Sequence, residues 1–119
     1  MSQASSLHSS LLPEARVFRA RYACSASMLL SAAELAAPRL SPLFGSQWRL
    51  DGHTSTTLFL WRSVPPGVWL PSYCQIESFD LLQGPDFAGI ALFTRHNTYQ
   101  ELFEAFTAQL DTFLVRLPD

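Results

Sequence analysis

The stretch TRHNTYQELFEAF, Thr94 to Phe106, decides the fold, because a polar cluster of Arg, His and Asn stands there between two apolar segments of different period. Beyond Thr98 the apolar residues are Leu102, Phe103, Phe106, Leu110, Phe113, Leu114 and Leu117, with spacings of 1, 3, 4, 3, 1 and 3. That recurrence is one face of an α-helix. Thr98 and Glu101 have the spacing of a capping box, and Asn97 with Gln100 offers the same arrangement one residue earlier. Burying seven such side chains contributes on the order of 10–20 kcal/mol before chain entropy offsets much of it, so the helix is expected to lie on a sheet. The polar cluster then reads as a helix start and not as a site.

Working back from the junction, FAGIALFT (Phe87–Thr94) is apolar enough to be a central strand, and SYCQIESFDLL (Ser72–Leu82) is a second strand across a Gly-Pro turn. In QWRLDGHTSTTLFLWRS (Gln47–Ser63), Asp51-Gly52 suits the positive φ angles of a type I′ hairpin turn, which makes His53 a turn-flanking residue. VPPGVWLP (Val64–Pro71) has three prolines, so no ladder can pass through it and it reads as a loop.

Nearer the start, RVFRARYAC (Arg16–Cys24) alternates Phe18, Ala20, Tyr22 and Cys24 with Arg19 and Arg21, the period of a half-buried strand; a helix beginning at Pro13 is the competing reading. SASMLLSAAELAAP (Ser25–Pro38) reads as a helix of two or three turns, capped by Ser31 with Glu34 and stopped by Pro38. RLSPLFG is an irregular turn, and residues 1–12, rich in Ser, read as a flexible tail. The expected fold is α+β: a single domain over residues 13–119, with an antiparallel sheet of about four to five strands. A short helix and a long C-terminal helix pack on one face. Phe59, Trp61, Trp69, Tyr73 and Phe79 spread aromatics over both faces, and a second subunit is the simplest cover for the face without helices.

Composition limits the chemistry. A chain of 119 residues supports one core, and its charged fraction of 15% against 48% apolar leaves apolar surface for a partner. With a net charge of −2 and scattered basic residues, nucleic acid is disfavoured as a partner. All basic residues are Arg; the absence of Lys removes Schiff-base catalysis, a phosphate-loop lysine and a lysine general base. No apolar run approaches the roughly 18 residues of a membrane span, and the N-terminus lacks the pattern of a signal peptide, so the expected setting is cytoplasmic. Cys24 and Cys74 suit buried thiols better than a single disulfide.

Two sets of candidate residues follow. His53 beside Asp51 and His96 beside Arg95 lie at loop ends, where a small enzyme or ligand-binding domain would build a pocket between the C-terminal helix and the sheet from His53, Arg95 and His96. Against it, Glu77 and Asp80 point to opposite sheet faces, the cysteines lie in apolar contexts that disfavour the thiolate, and no metal-ligand spacing or phosphate loop occurs. No catalytic residue, metal or cofactor is expected. The other set is Trp69, held by rigid prolines, with Trp61, Arg62 and the strand arginines Arg19 and Arg21; Trp69 reads equally as a lid over the core. The sequence therefore points to a non-enzymatic interaction module of adaptor, chaperone or inhibitor kind, a homodimer, binding a protein through an aromatic sheet face or the loop 64–71.

Overall fold

The computed structural model describes residues 11–118, with side chains from residue 14 onward. The chain runs β1 (Leu11–Tyr22), α1 (Ala26–Ala36), β2 (Gln47–His53), β3 (Thr57–Ser63), β4 (Cys74–Gln83), β5 (Ala88–His96) and α2 (Asn97–Leu110). The five strands form one antiparallel sheet in the order β1-β5-β4-β3-β2. Both helices lie on the same side of it, which is the α+β architecture that the periodicities predict. Most of the expected tail, residues 1–10, lies outside the described residues, and β1 is already strand at Leu11.

Strand alternation sorts the side chains. Toward the helices point Phe18, Ala20 and Tyr22 of β1, Ala88, Ile90 and Leu92 of β5, Phe79 and Leu81 of β4, Leu58 and Leu60 of β3, and Trp48 of β2. The arginines of β1 fall on the other side, as expected. Helix α2 covers this layer with Leu102, Phe103, Phe106 and Leu110; Phe106 stacks on Phe79 with ring centres 5.6 Å apart, and Phe103 packs on Phe18 at 5.8 Å. Helix α1 adds Leu29, Ala32, Ala33 and Ala36, a stripe of mostly small residues that lets it sit close.

Several local expectations differ. Helix α1 is capped by Ser25, whose hydroxyl accepts from Met28 N at 3.2 Å, and not by Ser31, which lies inside the helix. Helix α2 begins at Asn97 with His96 as N-cap and without a side-chain cap, and the Thr98 hydroxyl is buried with no hydrogen-bond partner. The Thr98 capping box does not form, and Asn97 is the first helical residue and not the cap. The same helix stops at Leu110, short of the predicted Leu117: Thr112 donates to Gln109 O at 2.7 Å, and Asp111 is taken by the Tyr22 hydroxyl at 3.1 Å and by both ends of the Arg116 guanidinium at 2.8 Å. The chain after it runs back along β1, with Ala23 N to Val115 O at 2.9 Å and Leu117 N to Arg21 O at 2.8 Å, which covers part of the sheet's outer edge.

The β2–β3 hairpin exists, but Asp51-Gly52 is not its turn. Gly52, at φ 91°, forms a bulge where the register shifts between Leu50 and His53, and the chain reverses at 54–56, closed by Thr54 N to Thr57 O at 2.8 Å. The Thr54 hydroxyl accepts from Thr56 N at 3.2 Å and supplies the turn chemistry there.

Candidate functional site

The face without helices carries Val17, Arg19 and Arg21 of β1, Ala91 and Phe93 of β5, Ile76, Ser78 and Asp80 of β4, Phe59 and Trp61 of β3, and Arg49 of β2. Apolar side chains that would be buried under a helix stand open here: Phe93 is 68% exposed, Ile76 51% and Val17 48%. Val17 pairs directly with Phe93 across β1 and β5, and Ile76 with Trp61 across β4 and β3, so the apolar groups span four strands.

At the β2 edge the loop 64–70 folds onto this face. Pro66 and Gly67 occupy the central positions of a turn closed by Val68 N to Pro65 O at 3.2 Å, with Gly67 at φ 83° as a type II turn requires. The buried Ser63 hydroxyl ties the loop to the sheet by accepting from Gly67 N at 3.1 Å and from Gln47 N at 3.4 Å. Trp69 is thereby laid over the Arg49 guanidinium at 4.3 Å, with Trp61 on the same cation at 6.0 Å. Trp69 thus covers neither the core nor a neighbouring helix; it is part of the open face.

The residues expected to bind a partner are divided by the fold. Trp61 and Trp69 come together around Arg49. Arg19 and Arg21 share their face but lie on β1, with β5 and β4 between, and Arg21 is engaged with Pro118 O at 3.0 Å and the Phe87 ring at 5.7 Å. Arg62 faces the helices instead. Its guanidinium sits 5.6 Å from both the Phe44 and Trp48 rings, bonds Gln75 Oε1 at 3.1 and 2.6 Å, and approaches Glu77 at 3.5 Å. A residue next to Trp61 in a strand must point the other way.

The alternative pocket is not assembled. His53 closes β2 at one end of the sheet, exposed, with Nδ1 3.1 Å from Thr54 O; Arg95 and His96 end β5 at the opposite end, where the His96 ring meets Tyr99 edge-on at 6.0 Å. Cys24 and Cys74 are free thiols, also at opposite ends of the sheet, and burial pushes the Cys24 thiol up. Among the described residues no group of His, Cys, Asp and Glu could hold a metal ion.

A feature that the sequence reading passed over lies in the middle of the sheet. Strands β4 and β5 pair only from Asp80–Ala91 to Gln83–Ala88, although each continues beyond that point against its outer neighbour. The gap is a cavity of about 300 Å³ lined by Ile76, Glu77, Ser78, Leu92, Phe93, Thr94 and Tyr99. Glu77 is 9% exposed on the helix side; burial raises its carboxyl above the ordinary range, while Arg62 and a hydrogen bond from Tyr99 act against that rise. Tyr99 is raised as well, by burial first and then by the neighbouring carboxylate. The signal was available in CQIESFDLL, where Glu77 occupies the same alternation as the buried Phe79 and Leu81.

No family model, curated protein or solved structure matches this chain.

Proposed function

We propose that the chain is a non-enzymatic interaction module of adaptor, chaperone or inhibitor kind that binds another protein on the open face of its sheet. The observation that carries this reading is the exposure of Phe93, Ile76 and Val17 on the face that no helix of the described residues covers, beside the Trp61–Arg49–Trp69 stack. Exposed apolar groups flanked by arginine and tryptophan are what a protein interface core contains, and arginine spread over an aromatic ring loses little freedom on binding. Two copies of the chain set face to face would cover the same residues, so the proposal includes a homodimer. It places the protein in the cytoplasm, a setting supported by the two free thiols at opposite ends of the sheet.

Light scattering tests the dimer: the wild-type chain is expected at twice its 13.3 kDa, and the Val17→Glu/Phe93→Glu double variant at the monomer mass with an unchanged melt. A wild-type monomer at high concentration removes the dimer. Affinity capture from the native source then tests the partner, since a protein retained equally by wild type and double variant would place the interface elsewhere.

A further inference from the structure

The gap between β4 and β5 has two walls of strand edge. Leu81 N donates to Thr56 O at 2.9 Å and Val64 N to Tyr73 O at 2.8 Å, so the odd-numbered residues of β4 turn their backbone groups toward β3. The even ones, Ile76 and Ser78, therefore turn theirs toward β5. Gly84 N to Phe87 O at 3.0 Å fixes the opposite parity for β5, which turns Phe93 toward β4. Among the described residues no strand pairs with Ile76, Ser78 or Phe93 on these sides. A strand edge presents N–H and C=O groups at a repeat that only another extended backbone matches over several residues.

The floor of the gap has a chemical preference. Glu77 meets Arg62 through a single contact of 3.5 Å, because the guanidinium commits its better donors to Gln75 at 3.1 and 2.6 Å. A carboxylate has room for several donors, and this one is buried with Tyr99 and Thr94 beside it, so it favours a further cation. The mouth is apolar, flanked by the exposed Ile76 and Phe93.

We propose that this gap is a slot for an extended segment of a partner protein, which adds its backbone to the facing edges of β4 and β5 and sets one Lys or Arg side chain on Glu77. The proposal rests on the reading of the chain as a protein-binding module and names the form its partner takes. Side chains of an inserted strand alternate: those on the helix side reach Glu77, Thr94 and Tyr99, and those on the open side lie between Ile76 and Phe93. The partner segment is thus basic at one inward position and apolar at the outward positions on either side of it.

Panning a phage-displayed library of random linear dodecapeptides against the full chain tests this. The enriched sequences are expected to alternate, with Lys or Arg at one shared position, and panning against Glu77→Gln is expected to lose that basic preference while the variant melts like the wild type. An enriched peptide should slow amide exchange at Ile76, Ser78 and Phe93 by about tenfold or more. Failure to enrich any sequence overturns the slot, as does slow exchange of these three amides in the free protein. Enriched peptides indifferent to Glu77→Gln that leave these three amides unprotected overturn the slot and leave the open-face reading standing. Equal partner capture by wild type and Val17→Glu/Phe93→Glu, together with an intact Glu77-dependent preference, would overturn the open-face reading and leave the slot standing.

Discussion

Replacing Arg62 by Met distinguishes a structural cation from an interface residue. The methionine keeps the stem that lies near Phe44 and Trp48, so the change chiefly removes charge from the neighbour of Glu77, where the side chains are 21% and 11% exposed. Breaking such a pair from one side leaves a buried carboxylate, which costs about 3–5 kcal/mol where no water helps. Two features lower that figure here: the Tyr99 hydroxyl remains beside the carboxyl, and the carboxyl can take a proton. Protonation sets a ceiling. For a carboxyl of ordinary pKa about 4.3, binding a proton near pH 7 costs about 2.7 pH units at about 1.36 kcal/mol each, or about 3.7 kcal/mol. Near pH 5.5 the same ceiling is about 1.6 kcal/mol. The expected loss is therefore about 2–3 kcal/mol near pH 7 and no more than about 1.5 kcal/mol near pH 5.5.

The sign follows from linkage. The folded-state Glu77 carboxyl is raised, so below the ordinary carboxyl range both states hold the proton and no penalty exists; as pH rises the unfolded chain ionises first and stability falls until the folded carboxyl follows. Removing Arg62 carries that fall to higher pH. Urea melts at the two pH values measure it, and the Arg62→Met/Glu77→Gln double variant should recover to within about 1 kcal/mol of wild type. A loss that does not change with pH, a double variant as weak as the single one, or lost partner binding in a folded Arg62→Met would each refute the reasoning.

Three further outcomes are expected. Tyr22→Phe removes the hydroxyl from Asp111 at 3.1 Å and Thr107 O at 3.3 Å, and should lower stability in urea melts by about 0.5–1.5 kcal/mol while speeding exchange of the Leu117 amide. Gly89→Ala should cost about 3 kcal/mol in the same melts, because its Cβ would run into the Ala20 carbonyl oxygen and lie 3.0 Å from Arg21 Cα, backbone atoms of the paired strand that cannot give way as a side chain can. Cys24, its thiol raised by burial, should be alkylated by iodoacetamide at neutral pH several-fold more slowly than free cysteine, read by mass spectrometry.

What the sequence disclosed and what it withheld divide along one line. Alternation in RVFRARYAC and the helical period after Thr98 each describe a side chain's facing direction, and the structure agrees for Phe18, Tyr22, Leu102, Phe103 and Phe106. Grouping Trp61 with Arg62 disregarded the same rule. Turn choice is different, because it depends on burial elsewhere. A two-residue turn at Asp51-Gly52 would set Trp48 opposite Ser55; the bulge and later turn set Leu50 opposite Leu60 and leave Trp48 in the core layer, and burying those side chains outweighs a local turn preference. The gap in the sheet was still less legible, since alternation does not state whether neighbouring strands remain in hydrogen-bond reach. Continuing the β4–β5 register past Asp80–Ala91 would bring Glu77 opposite Thr94 in the layer beneath α2. Closing the ladder there would shut the Glu77 carboxylate into that layer with little water left to solvate the charge. Two polar side chains in register on the apolar side of adjacent strands are therefore a physical reason for the strands to part, and they are the mark by which the gap could have been found in the sequence.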